Sequence, residues 1–314
     1  MDQTSLPPPP PAPALERCYR HPDVETGVHC TRCGKPICPD CMVPAPVGHQ
    51  CPDCVKEARQ EFSRPSQRVS IGANRGFSLT NVLLAVLAGI YVVEALIGGT
   101  AALITGPSAN ALVRLGASVG IYQIDGVLVG IVEGQYWRLF TATFLHAGLL
   151  HLAFNCYALY LFGNVVEREL GRGRFLVMYV VTGICASVGS YAFGVPYAPS
   201  VGASGAIFGI FGAFLAYSWR RRDLAFYAAR VRSAGMLILL NLFISIALPG
   251  IDWRAHVGGL VTGIVAGAAA DGLGDRRART ATFAVAIAAL TVIAVALTAW
   301  RTEQLREAFG PILG

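Results

Sequence analysis

The chain has 314 residues, of which 54% are apolar and 14% charged, with a mean hydropathy of +0.52. A soluble domain carries roughly 25% charged residues, so composition excludes a single water-soluble globule. The 25 Lys+Arg outnumber the 19 Asp+Glu to give +6, but most of the basic residues sit in short loops between apolar runs. That is the pattern of membrane topology, not of a nucleic-acid surface, and no nucleic-acid partner is expected. Residues 1–14, with the run Pro7 to Pro11, read as a disordered lead. No Lys/Arg-led apolar stretch opens the chain, so no cleavable signal peptide is expected.

Seven of the nine cysteines fall in residues 15–58. They form Cys18-x2-His21, Cys30-x2-Cys33, Cys38-x2-Cys41 and Cys51-x2-Cys54. A two-residue gap lets a tight turn bring both side chains onto one ion, and four such pairs supply the eight soft ligands that two tetrahedral zinc ions need. A segment this short buries little apolar surface and folds only with metal. The arrangement resembles the B-box type of zinc finger. That resemblance implies interleaved sites, Cys18, His21, Cys38 and Cys41 around one zinc and Cys30, Cys33, Cys51 and Cys54 around the other. His49, just before Cys51, leaves open a second site in which it displaces one of the last pair. Closed sites make the zinc structural and not catalytic, and the module is read as structural or as a docking element for a cytosolic protein partner. Residues 59–77 are polar and read as a linker.

A spanning helix needs about 20 mostly apolar residues. Seven candidates follow, at 78–99, 148–166, 175–194, 204–219, 235–251, 256–272 and 281–300. The gap at 100–147, with Tyr136 and Trp137, reads as a loop packed at the membrane surface. With the N-terminus in the cytosol, the inner segments hold Arg64, Arg68, Arg75, Arg168, Arg172, Arg174, Arg220, Arg221, Arg222, Arg230, Arg232, Arg276, Arg277 and Arg279. The outer ones then hold Arg114, Arg138, Arg254, Arg301 and Arg306. The asymmetry satisfies the positive-inside rule. It also puts the cysteines in a reducing compartment, where thiols bind metal.

Polar residues inside spans are costly and mark function by default. The second span carries His151 and Asn155 on one helix face, with His146 just ahead of it. The fourth opens at Ser204 among small residues, and the sixth at His256. Under this topology spans two, four and six run the same way, so these side chains share one depth near the outer face. Ser204 and His256 supply a nucleophile and its base. His151, Asn155 and the Ser204 backbone N–H supply donors for a developing oxyanion. The fourth span has sixteen residues, about 24 Å at 1.5 Å per residue, against a hydrocarbon core of about 30 Å. Ser204 should therefore lie below the membrane surface, in a wet cavity. Single residues have blander readings. Ser204 and Gly259-x3-Gly263 suit close helix packing, Cys156 and Cys185 suit a small apolar role, Glu94 suits a functional carboxylate less than a packing or snorkelling detail, and Tyr191 and Tyr197 suit interfacial anchors.

Taken together, the residues resemble the rhomboid family of intramembrane serine proteases. The matching pieces are Trp137-Arg138, His146-x4-His151-x3-Asn155, Glu167-Arg168, Gly202-x-Ser204-Gly205 and Ala255-His256-x2-Gly259-x3-Gly263, covering roughly 78–272. The resemblance implies a six-helix core over 78–272 and a Ser–His dyad without a third acid. The span at 281–300, within 273–300, is then an added seventh helix, followed by a tail at 301–314. Phe208 stands where the family carries a tyrosine stacked on the dyad histidine. The expected fold is an all-α polytopic membrane protein preceded by a small zinc-stabilised domain. The expected function is an endopeptidase acting on transmembrane protein substrates in the bilayer of the cell membrane. No cofactor is expected in catalysis. A catalytically silent relative would usually lack the serine or the histidine. A transporter would show more intramembrane acids or paired broken helices.

Overall fold

The computed structural model describes residues 15–45, 47–63, 78–99, 101–272 and 274–313. The lead expected at 1–14 and most of the linker expected at 59–77 lie outside them. The chain divides into two units, Met1–Gly76 and Phe77–Gly314.

In the first unit, β1 (Glu16–Arg17) pairs with β2 (Glu25–Thr26), and β3 (Val43–Pro44) with β4 (His49–Gln50), both antiparallel. A helix, α1 (Pro52–Ser63), follows and takes up the first residues assigned to the linker. Among the described residues, the buried core consists of Ile37 and six cysteines, Cys18, Cys30, Cys38, Cys41, Cys51 and Cys54, with Tyr19 and Met42 packed against it. A core made of one aliphatic side chain and thiols cannot hold a fold by apolar burial alone.

The second unit is helical. It opens with α2 (Leu79–Gly98), then α3 (Ala102–Thr105) and α4 (Ala109–Leu115). A hairpin follows, β5 (Tyr122–Ile124) and β6 (Val127–Val129), turned by Asp125-Gly126, both at positive φ. Such a pair suits the tight turn between twisted strands. Next come α5 (Arg138–Thr141), α6 (Leu149–Ala158), a wide π turn at Leu159–Gly163, α7 (Asn164–Leu170) and α8 (Arg172–Phe193). The last four are α9 (Ser204–Trp219), α10 (Ala225–Ala247), α11 (Trp253–Ala270) and α12 (Arg276–Leu313).

Among the described residues, five helices are long and apolar enough to cross a membrane: Leu79–Gly98, Leu149–Leu170, Arg172–Phe193, Ala225–Ala247 and Arg276–Gly310. The fourth and sixth expected spans, α9 and α11, fall outside this set. The first is short, with 16 residues. The second dilutes its apolar residues with glycine and alanine and carries Arg254 and His256. Helix α12 runs on through the residues expected as a tail.

Small residues draw the centre together. A β-carbon on Gly259 or Gly263 would stand 2.0 Å from the carbonyl oxygen of Gly205 or Gly209, and one on Gly267 would stand 2.5 Å from Ala213 Cα. The pairs advance together along both helices, so α9 and α11 run parallel with their backbones touching. On its other side α9 meets α8, where Gly209 faces Thr182 and Gly205 faces Ala186. By contrast, α10 buries only Ala234, Ile238 and Ser245.

The segment at 100–147 is packed, as composition suggested. Arg138 is buried, and its guanidinium donates to Val113 O (2.6 Å), Ala117 O (3.2 Å) and Gln135 Oε1 (2.6 Å). Main-chain bonds in both directions join Ser118 to Ser200, so this loop supports the stretch leading into Ser204. Tyr191 is no interfacial anchor: it is buried, with its hydroxyl 2.8 Å from Thr302 Oγ1 on α12.

Candidate functional site

Parallel packing of α9 and α11 sets the first turns of the two helices side by side. Ser204 is the first residue of α9 and His256 lies in the opening turn of α11. His256 Nε2 is 2.8 Å from Ser204 Oγ. Phe208, one turn into α9, stacks on the His256 ring with centroids 4.3 Å apart and planes at 12°. The imidazole is thereby held flat against an apolar face.

Asp252 organises the surroundings without touching that ring through any of its hydrogen bonds. One carboxylate oxygen caps α11, accepting from Arg254 N (3.2 Å) and Ala255 N (3.3 Å). The other accepts from the hydroxyls of Ser190, at the end of α8, and Ser200 (2.7 Å). One acid thus ties together α8, the run into Ser204 and the start of α11.

His151 and Asn155 lie one turn apart on α6. A β-carbon on Gly202 would stand 2.9 Å from His151 Nε2 and 3.4 Å from Ser204 Oγ. Gly202 has φ +133°, a backbone that any side chain would strain, and its lack of a β-carbon lets the imidazole and the serine approach the same spot. Ala147 N donates to His151 Nδ1 at 3.3 Å. Asn155 is buried, and its side-chain Nδ2 has no partner among the described residues.

Two contacts escape sequence reasoning. Of the two readings of Glu94, packing holds and snorkelling does not: the side chain is fully buried and accepts from His146 N at 3.0 Å. His146 in turn packs edge-on against His151, with centroids 5.2 Å apart. The second is Ser245 on α10, whose Oγ lies 2.7 Å from His256 Nδ1. A lone serine on an apolar helix carries no sequence signal, because its commonest role is a bond to its own backbone. Cys185 is buried and Cys156 half-buried. A cavity of about 290 Å³ between α8, α11 and α12 is lined by Cys185, Val257, Val261 and Leu290 and includes neither Ser204 nor His256.

In the first unit the eight expected ligands fall into two clusters, Cys18, His21, Cys38 and Cys41, and Cys30, Cys33, Cys51 and Cys54. Within each, the ligand atoms all lie within 4.8 Å of one another. His21 Nδ1 is 3.2 Å from Cys38 Sγ and 3.5 Å from Cys41 Sγ, and Cys33 Sγ is 3.8 Å from Cys51 Sγ. A tetrahedron with Zn–S near 2.3 Å has edges of about 3.8 Å, so the donor sets fit zinc. Cys54, not His49, completes the second cluster.

Electrostatics point the same way. Burial resists ionisation of Cys18, but backbone N–H groups of Arg20, Cys38 and His21 outweigh it and draw the thiol down to about 6. Cys30 is likewise drawn down to about 6 against burial by the N–H groups of Cys51, Cys33 and Arg32. Burial and the neighbouring Cys18 and Cys38 push Cys41 up to about 11. Burial, with Cys51, Cys33 and Cys30, pushes Cys54 up too. A divalent cation would relieve that conflict.

Residues 133–270 match the rhomboid domain, the stretch that contains Ser204, His256, His151 and Asn155. Rhomboid protease GluP of Bacillus subtilis is 45% identical over 139 residues, which is 44% of this chain and 27% of that protein. Putative rhomboid protease YdcA of the same organism is 37% identical over 145 residues, 45% of this chain and 71% of that protein. RHOMBOID-like protein 6, mitochondrial, of Arabidopsis thaliana is 36% identical over 165 residues, covering 52% of this chain and 50% of its own. The chain therefore spans about a quarter of the first relative, half of the third and most of the second. With a multi-pass helical body, a matched domain that contains both Ser204 and His256 and a relative covered over most of its length, the chain belongs to the rhomboid family.

Proposed function

We propose that this protein is an intramembrane serine endopeptidase, hydrolysing peptide bonds in or next to the transmembrane segments of membrane-protein substrates. What carries the proposal is the 2.8 Å contact between Ser204 Oγ and His256 Nε2 at the ends of two parallel helices. The names of the relatives, rhomboid proteases, support it.

In this mechanism His256 takes the Ser204 proton as Oγ attacks the scissile carbonyl. The oxyanion that forms needs donors already in place. His151 is arranged to be one. Its Nδ1 accepts from Ala147 N, so the neutral ring carries its proton on Nε2, the atom facing Gly202 and Ser204. Asn155 Nδ2, without another partner among the described residues, and the Ser204 N–H, free of intrahelical bonding at a helix start, complete the set. His256 returns its proton to the leaving amine. Water attacks the acyl-enzyme with His256 again as base. With the N-terminus cytosolic, this machinery opens toward the outer face and the first unit lies in the cytosol. There Cys18, His21, Cys38 and Cys41, with Cys30, Cys33, Cys51 and Cys54, would hold two zinc ions that supply folding energy. The unit would then serve as a docking element for a cytosolic protein.

The test is hydrolysis of a generic single-span substrate by the purified full-length protein in lipid vesicles, with Ser204→Ala as control. Cleavage that survives in the control would overturn the proposal.

A further inference from the structure

We propose that Ser245 is a positioning residue that fixes the tautomer of His256. The inference rests on the dyad assignment above. It comes from counting protons. Ser245 is buried, with 3% of its surface exposed, and its Oγ makes two short contacts. It donates to Asn241 O, one turn back on α10, at 2.6 Å, and it lies 2.7 Å from His256 Nδ1. A hydroxyl has a single proton to donate. The carbonyl can only accept, so that proton goes to Asn241 O. The contact to His256 must then run the other way, with Nδ1–H donating into an Oγ lone pair.

A neutral imidazole carries one proton, so placing it on Nδ1 leaves a lone pair on Nε2. Nε2 is the atom 2.8 Å from Ser204 Oγ. The backbone carbonyl of Asn241 thus determines, through Ser245 and across the His256 ring, that Ser204 meets a base and not a second donor. In serine hydrolases with a third acid, a carboxylate holds the tautomer and also stabilises the imidazolium. Ser245 performs the first task without the second, because it is neutral. Phe208 stacking fixes the plane of the ring but is indifferent to which nitrogen is protonated, so the two contacts are complementary. His151 is set the opposite way, since the backbone N–H at its Nδ1 leaves Nε2 as the donor.

Removing the hydroxyl leaves a buried N–H without its acceptor and lets the other tautomer compete. An ordinary neutral hydrogen bond corresponds to about three- to tenfold in population. The experiment uses the full-length protein in lipid vesicles, with ¹⁵N-histidine labelling and the His256 signal assigned by its loss in His256→Phe. Wild type should show Nδ1 protonated. Ser245→Ala should show a mixture, with kcat lowered about three- to tenfold, KM unchanged and fluorophosphonate labelling of Ser204 slowed by the same factor. Ser245→Thr, which keeps the hydroxyl, should restore tautomer and rate. Protonation of wild-type His256 on Nε2, or an unchanged His256 spectrum in Ser245→Ala, would overturn the proposal. Because the spectrum is read without substrate, it decides the role of Ser245 even if Ser204→Ala were to retain hydrolysis and the dyad assignment fell.

Discussion

The carbonyl oxygen of Gly205 occupies the place where a β-carbon on Gly259 would stand, 2.0 Å away. The same relation recurs one turn on between Gly209 and Gly263. These contacts set the spacing between the helices that carry Ser204 and His256. Both partners are backbone, so nothing flexible can give way. Gly263→Ala should therefore destabilise the fold by about 1–3 kcal/mol or more and lower activity, since the helices must part. Gly89→Ala on α2, where a β-carbon would meet nothing within 4 Å, should be neutral or mildly stabilising, since alanine favours helix over glycine. Thermal unfolding in detergent compares the two, and equal melting would refute close packing as the role of Gly263.

Ser204→Ala and His256→Ala should each lower hydrolysis by roughly 10³-fold or more while leaving helix content unchanged. Because both residues act as one unit, the double variant should lose little beyond either single one. Additive losses measured in initial rates would mean that the two side chains act in separate steps.

His151→Ala and Asn155→Ala should lower turnover more than apparent affinity, by about 10²–10³-fold for loss of one oxyanion donor. Steady-state kinetics separates the two parameters. A raised KM with normal kcat would assign both side chains to substrate binding or packing.

Metal analysis of the full-length protein should find two zinc ions per chain. Cys54→Ser should lose or weaken one of them, whereas His49→Ala should keep both, because the second cluster closes on Cys54. Zinc should dissociate as pH falls, since protons compete for thiolates and imidazole. Retention of two ions in Cys54→Ser would transfer that ligand role to His49.

Much of this site is legible in the sequence because a bilayer makes polarity conspicuous. Ser204, His151, Asn155 and His256 each interrupt an apolar run, and the order of the spans puts them at one end. The x2 spacing of the cysteines is equally plain. Contacts between helices are not. Nothing in the residues around Ser245 says which face of α10 meets α11, and Glu94 near the end of α2 gives no sign that its partner is the His146 backbone 52 positions away. Helix ends slip for a related reason. Apolarity marks where a helix can cross a membrane, but α10 begins at Ala225 and α12 continues to Leu313. Their Arg, Glu and Gln residues favour helix while lowering hydropathy.

Glu167, on α7, accepts hydrogen bonds from Leu79 N (2.9 Å), Thr80 N (2.9 Å), the Thr80 hydroxyl (2.7 Å) and the Ser78 hydroxyl (3.0 Å). It therefore satisfies the free N–H groups at the start of α2 from a residue 88 positions later in the chain. Synthesis runs at about 5–20 residues per second, so the start of α2 must wait roughly 4–18 s after it leaves the ribosome before this carboxylate leaves it too. During that interval its first turn can lean only on Ser78, whose side chain accepts from Asn81 N, and on water or lipid headgroups. The first apolar helix made is thus completed by a later one, and a chain halted before position 167 would leave the N–H groups of Leu79 and Thr80 without this acceptor.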